Sequence, residues 1–134
     1  MKVYAAIGAD TLAEVKKQVA KAEIIGFDGV VLPELKLDPF LAATITAEYT
    51  NRIRLATGIA LAFPRSPMTT AYMAWAIQQH SVGRFELGLG TQVKGHNERR
   101  FSVAWDSPGP RLREYINSLR TIWSTWHNKK ALNF

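Results

Sequence analysis

The sequence is that of an α/β protein with a parallel sheet. Short apolar runs alternate four times with helix-like patterns, and the helical segments open on capping-box or cap-then-proline signals. Strands joined by helices run parallel, because a right-handed crossover returns each strand in the same direction.

The first strand is expected within Lys2–Gly8. Thr11 and Glu14 then form a capping box ahead of a helix whose apolar face is Leu12, Val15, Val19 and Ala22, and Gly26 stops it. Phe27–Leu32 is a buried-strand run closed by Pro33, and Asp38-Pro39 opens a second helix. Ile53–Ile59 is the third strand. Ser66-Pro67 begins a third helix with Met68, Ala71, Tyr72 and Trp75 as its inward face. The fourth strand spans Arg84–Leu89, and after a long loop a helix runs from about Pro110 to Trp126 with Leu112, Tyr115, Leu119, Ile122 and Trp126 in register.

Four such units make half of a (β/α)8 barrel, and periodicity alone would equally fit a doubly wound open sheet. The loops favour the barrel. Ile7-Gly8-Ala9-Asp10 stands where a dinucleotide-binding sheet carries its glycine fingerprint, and no Walker sequence occurs. The long connections 33–38, 60–66 and 90–109 all follow strand C-terminal ends, where barrel enzymes keep their sites.

The chain of 134 residues is 47% apolar and 21% charged, the composition of one globular domain. It has no cysteine, which excludes disulfides, thiolate metal sites and thiol nucleophiles, so redox chemistry would need a cofactor. Apolar stretches fall short of a bilayer span and Met1-Lys2-Val3-Tyr4 begins a strand, so the expectation is a soluble, cytoplasmic chain without membrane contact. The +6 formal charge reads as scattered, with one concentration at Lys94, His96, Arg99 and Arg100. No aromatic residues interleave these to make a nucleic-acid platform, so a solvated or phosphate-facing loop is expected and nucleic acid is not.

Two strands end in glycine at the barrel mouth: Ile53-Arg54-Leu55-Ala56-Thr57-Gly58-Ile59, and Gly83-Arg84-Phe85-Glu86-Leu87-Gly88-Leu89-Gly90-Thr91-Gln92. Bare backbone there admits a large flat ligand. Together with Gly29-Val30-Val31-Leu32-Pro33-Glu34, Asp38-Pro39-Phe40-Leu41 and Phe63-Pro64-Arg65-Ser66-Pro67, these segments resemble the luciferase-like monooxygenase superfamily. The branch they resemble most is that of the deazaflavin-dependent oxidoreductases related to methylenetetrahydromethanopterin reductase. The resemblance spans the whole chain as the N-terminal half of the family's TIM barrel, and Ala131-Leu132-Asn133-Phe134 is similar to the start of a short hairpin after the fourth helix.

The resemblance implies hydride transfer through FMN or the deazaflavin coenzyme F420, acting on a small-molecule substrate, with no protein nucleophile. It implies a non-prolyl cis peptide at Gly58-Ile59 against the ring; the plainer account is a strand ending at a crowded rim. It also implies that Gly88, Gly90, Thr91 and Gln92 line the ring's polar edge, where the alternative is a tight turn with a solvated Thr-Gln. Glu34 follows Pro33 where relatives carry polar residues facing substrate, but Leu35-Lys36-Leu37 replaces the histidine many of them place beyond it.

His96 is either an exposed loop histidine or a substrate contact, and is the one proton donor of its loop. His80 and His127 sit at helix ends, where the dipole accounts for them. Glu114 and Asp106 lack the spacing of a metal site or a carboxylate pair, and Trp75, Trp123 and Trp126 read as core or interface. The catalytic residue is not legible.

A complete barrel takes about 250 residues, with its phosphate site after the seventh and eighth strands. Four strands alone leave the first and fourth as open edges, so homo-oligomerisation is expected. The alternative to an oxidoreductase is thus a non-catalytic half-barrel assembly module. A third class, an anion- or nucleic-acid-binding protein using Lys94–Arg100, would show salt-dependent binding.

Overall fold

The structure, a computed structural model, describes residues 1–129. In chain order its elements are β1 (Tyr4–Ala6), α1 (Leu12–Ile25), β2 (Gly29–Leu32), α2 (Pro39–Tyr49), β3 (Arg54–Thr57), β4 (Ala60–Leu61), α3 (Pro67–His80), β5 (Phe85–Glu86), β6 (Leu89–Gly90), α4 (Lys94–Phe101) and α5 (Pro108–His127). They form two compact units, Met1–Ala60 with Ala76–Leu89, and Leu61–Trp75 with the chain from Gly90 onward.

The first unit is built on a four-stranded sheet in the order β1-β2-β3-β5, parallel throughout. Thr11 closes the expected capping box on α1, Gly26 ends that helix at φ 104°, and Asp38 Oδ1 accepts from Phe40 N at 2.8 Å ahead of Pro39. Val30, Leu32, Ile53 and Leu55 are fully buried, against Val15 and Val19 of α1 and Phe40, Ala43 and Ala47 of α2.

The other sheet face carries Tyr4, Arg54 and Glu86. Tyr4 Oη donates to Glu86 Oε1 at 2.7 Å, and Arg54 Nε donates to the same oxygen. This contact joins the two outermost strands, which on a flat sheet would lie about 14 Å apart. The two long side chains span that distance across the face. Gly29 makes room for the crossing: a Cβ there would lie 2.6 Å from the Tyr4 ring.

Arg84, just before β5, fastens three segments of this unit. Its guanidinium donates to Ser81 O (2.9 Å), Thr50 Oγ1 (2.8 Å), Ile53 O (2.8 Å), Ala47 O (3.0 Å) and Thr50 O (3.0 Å). Burial pushes its pKa down, with the Glu23 carboxylate opposing. Glu23 fastens the neighbouring corner by accepting from the backbone N–H groups of Asn51, Arg52 and Ile53 at 2.9 to 3.0 Å. Burial works against its charged form, but the Ile53, Arg52 and Asn51 N–H groups and the Arg52 charge prevail and hold its pKa below the ordinary value.

The second unit centres on Leu61, Ala62, Phe63, Thr70, Ala71, Tyr115, Leu119 and Ile122, all buried. Tyr115 Oη lies 2.6 Å from Thr70 Oγ1 and donates to Ser66 O at 3.2 Å, tying α5 to the start of α3. Trp126 stacks on Tyr72 at 5.5 Å and meets Trp75 edge-on at 5.5 Å.

Four sequence expectations are corrected. The buried residues of α3 are Thr70, Ala71, Ala74 and Ile77, whereas Tyr72 is 62% exposed and covers Trp126 from outside. The segment 90–109 is not all loop, because it holds α4, so His96 lies on a helix. The fourth strand divides: Phe85–Glu86 joins the parallel sheet, and Leu89–Gly90 pairs with β4 in a separate ribbon. Finally, the charge is segregated rather than scattered. The first unit has eight basic and eight acidic residues; the described part of the second has eight basic and three acidic, a net of +5. The hairpin expected from Ala131-Leu132-Asn133-Phe134 lies outside the described residues.

Two predictions follow from the corner contacts. Arg84→Lys keeps the charge but loses the fork, and should cost about 2–4 kcal/mol in denaturant unfolding, against under about 0.5 kcal/mol for Arg99→Lys on exposed α4. Because the Glu23 pKa is depressed on folding, its stabilisation is present above the unfolded value near 4.5 and lost as pH falls through the lower folded value. Glu23→Gln should therefore destabilise the chain at pH 7, and the gap from wild type should narrow progressively in unfolding curves taken as pH falls below 4.5.

Candidate functional site at the strand C-terminal ends

β3 ends at Thr57, whose side chain is buried and whose hydroxyl serves both polar groups of Gly88. It accepts from Gly88 N at 2.9 Å and donates to Gly88 O at 2.8 Å. Gly88 O also accepts from Ala60 N at 2.8 Å, and Gly58 N donates to Leu32 O at 2.9 Å. The intervening Gly58-Ile59 peptide is cis, where the resemblance places it. Gly58 is exposed and Ile59 is 38% exposed, so backbone and one apolar side chain form an open ledge.

Internal crowding by itself demands glycine at two of the candidate positions. A Cβ on Gly88 would lie 2.1 Å from Thr57 O, and one on Gly58 would lie 2.2 Å from Val31 Cγ1. Glu34 stands half-buried beyond β2, in the loop that Lys36 ties to the first rim loop by its 2.9 Å ion pair with Asp10. A hollow of about 20 Å³ beside it, lined by Ile7, Ala9, Leu32, Pro33 and Leu37, has room for no more than a water. A tricyclic ring would have to rest on the open ledge, and bare backbone with an apolar flank fits its flat face.

In the second unit, Gly90 O accepts from Ala62 N at 3.0 Å, and the chain then turns through Thr91 and Gln92. Gln92 has φ 58°, its carbonyl accepts from Thr91 Oγ1 at 3.0 Å, and its side-chain Oε1 accepts from Val93 N at 3.0 Å. His96 is exposed on α4, with Nδ1 3.3 Å from Arg100 Nη1. His80 pairs with Glu48 at 2.7 Å in the first unit, and His127 lies in the last turn of α5.

A groove of about 360 Å³ in the second unit is lined by Arg65, Arg111 and Glu114 together with Ser66 and Tyr115. Arg111 lies over the Phe63 ring at 4.3 Å and donates to Ala104 O at 2.8 Å. Burial pushes the Tyr115 pKa up, while its bond with Thr70 and the Arg65 charge oppose this. No group of three or more metal-ligating side chains occurs among the described residues, and none of their helices is long and apolar enough to cross a membrane.

Three contributors escape a reading of the sequence: Thr57, Asn97 and the Tyr4–Glu86–Arg54 cluster. Thr57 is hidden as an ordinary strand residue, since its partner lies 31 positions away. Asn97 sits in a polar stretch with no local signal, yet its side chain is wholly buried.

Gly88→Ala sets a methyl against a backbone carbonyl that cannot rotate away, and should cost about 2–3 kcal/mol or more. Gly58→Ala meets a side chain instead, so adding Val31→Ala should recover much of its loss. Gly8→Ala, with open space at its Cβ, is the matched control. Thermal unfolding of the four variants reads the order, and equal losses for Gly88→Ala and Gly8→Ala would contradict the geometry.

The sequence model described as luciferase-like monooxygenase matches residues 2–133. An uncharacterized Mycobacterium tuberculosis protein is 44% identical over 92% of this chain and 36% of its own length. The chain thus spans about a third of the length of the curated relatives it matches. The oxygenating constituent of 3,6-diketocamphane monooxygenase from Pseudomonas putida, solved with FMN, superposes with a TM-score of 0.80 at 18% identity, over 92% of this chain and 40% of that one. The coenzyme F420-dependent tetrahydromethanopterin reductase of Methanopyrus kandleri superposes with a TM-score of 0.70 at 18% identity, over 87% and 38%. These likenesses establish the fold, half of a (β/α)8 barrel, and the match along the sequence establishes descent. The chain belongs to the luciferase-like monooxygenase family.

Proposed function

We propose that this chain supplies the ring-facing half of an oxidoreductase that uses FMN or the deazaflavin coenzyme F420 on a small-molecule substrate in the cytoplasm. The observation that carries the reading is the exposed Gly58-Ile59 ledge at the C-terminal end of a central parallel strand, where α/β sheets and barrels keep their ligands. Cysteine-free composition agrees with a reducing compartment.

When bound, the ring would supply the hydride chemistry. In the first unit, Gly58, Ile59 and Gly88 are the proposed seat, kept rigid by the Thr57 hydroxyl. Within the second unit, Gly90, Thr91 and Gln92 are proposed as cofactor-binding residues through their main-chain and amide groups. Glu34 and His96 are proposed to face substrate. No side chain is given the proton-transfer role.

The second reading is a non-catalytic assembly module, favoured by the two sheet edges: among the described residues, β1 and β5 each have one neighbour. Under it, copies of the chain associate to cover those edges.

Titration of the purified chain with FMN and with F420, followed by fluorescence, tests the first reading. Saturable binding of one ring, weakened about tenfold or more by Ile59→Asp, supports it, and no binding of either ring rejects it. Sedimentation at micromolar concentration tests the second, and a folded monomer rejects self-association.

A further inference from the structure

Asn97 is the second-unit residue whose burial is hardest to account for by packing. Its carboxamide is 0% exposed on a helix whose other side chains are charged, apart from Phe101 and His96. Nδ2 donates to Thr91 O at 2.8 Å and to Val93 O at 3.1 Å, so both carbonyls flanking Gln92 are tied to one nitrogen. The backbone carbonyl of the same residue accepts from Val103 N at 3.0 Å and from the Ser102 cap, holding the exit of α4 as well. Oδ1 is the one buried side-chain nitrogen or oxygen among the described residues without a hydrogen-bond partner. A buried amide left half-satisfied costs free energy that a leucine of similar volume would not, so packing alone does not explain asparagine here.

Two donors on Nδ2 leave no freedom to exchange the amide's ends, because the alternative would set Oδ1 against two carbonyl oxygens. The turn they fix carries Gln92 at φ 58°, and there Val93 N–H takes the Gln92 Oε1. That bond uses the acceptor end of the Gln92 amide and leaves Nε2, with its two N–H donors, unengaged among the described residues.

We infer that Asn97 is a positioning residue: it holds the Thr91–Val93 turn so that Gln92 presents a hydrogen-bond donor, not an acceptor, to a carbonyl oxygen of a bound ligand. The inference rests on the proposed function for the ligand's class, a planar heterocycle with ring carbonyls such as the pyrimidinedione that FMN and F420 share. It does not rest on it for the turn itself. Asn97 touches no ligand in this account; it acts through the backbone on either side of Gln92.

Two readouts test this on the intact chain. The first is hydrogen exchange without ligand. Asn97→Asp replaces the double donor by an acceptor and should speed amide exchange at Thr91–Val93 by about tenfold or more, leaving the α5 core around Leu119 unchanged. Asn97→Leu, which keeps the volume and removes the unpaired acceptor, should free the same turn with a smaller loss of thermal stability. Wild-type exchange at Thr91–Val93 in both variants overturns the positioning role.

The second readout is FMN and F420 affinity of Gln92→Ala and Gln92→Glu. If Gln92 donates, the carboxylate meets the ligand oxygen with like polarity, so Gln92→Glu binds more weakly than Gln92→Ala at pH 8. Its affinity recovers as pH is lowered through the carboxyl range, whereas that of Gln92→Ala does not. Gln92→Glu binding as well as wild type overturns the donor assignment. A wild-type chain that binds neither ring overturns both that assignment and the proposed function, while the exchange result decides the role of Asn97 independently.

Discussion

The first unit depends on how one cation, Arg84, is satisfied without a carboxylate. Three helix- or loop-end carbonyls, the carbonyl of Ile53 just before β3 and a hydroxyl take its five donated bonds. Two of those carbonyls, Ala47 and Thr50, belong to the end of α2, where a positive charge also favours the helix dipole. Neutral acceptors spare the unit the desolvation of a second ion, and the planar fork meets groups from α2, the start of β3 and the end of α3 together. These contacts gather at the N-terminal side of the sheet, opposite the rim that carries the ledge.

At that rim the parallel ladder gives way to a side chain. Thr57 takes over from backbone pairing by satisfying the N–H and C=O of Gly88, so the fourth strand can leave the sheet after Glu86 without stranding either group. The chain re-pairs at Leu89–Gly90 with β4. Between these two pairings lies the ledge of Gly58 and Ile59, which is exposed because the regular ladder ends just before it.

The strand–helix alternation was legible in the sequence because its signals are local: a capping box at Thr11 and Glu14, Asp38-Pro39, Ser66-Pro67, and apolar runs of strand length. The helix α4 was not, since Val93 offers no capping side chain and the segment has almost no apolar face. Tyr72 misled because its spacing places it beside Ala71, and only the position of Trp126 shows that it packs from the solvent side. The glycines at 58 and 88 read from the sequence as bare backbone for a flat ligand, whereas the crowding that demands them comes from Val31 and Thr57 on neighbouring strands. Asn97 and Arg84 eluded inspection for the same reason: their roles are defined by acceptors that only folding brings near.

The uneven division of charge has a consequence for how the molecule meets others. The first unit is neutral and the described part of the second carries a net charge of +5, whose field reaches about 8 Å into physiological saline. Anionic solutes approaching at random are drawn preferentially to the α4 and α5 surface, and added salt erases that preference before it disturbs any contact within the fold.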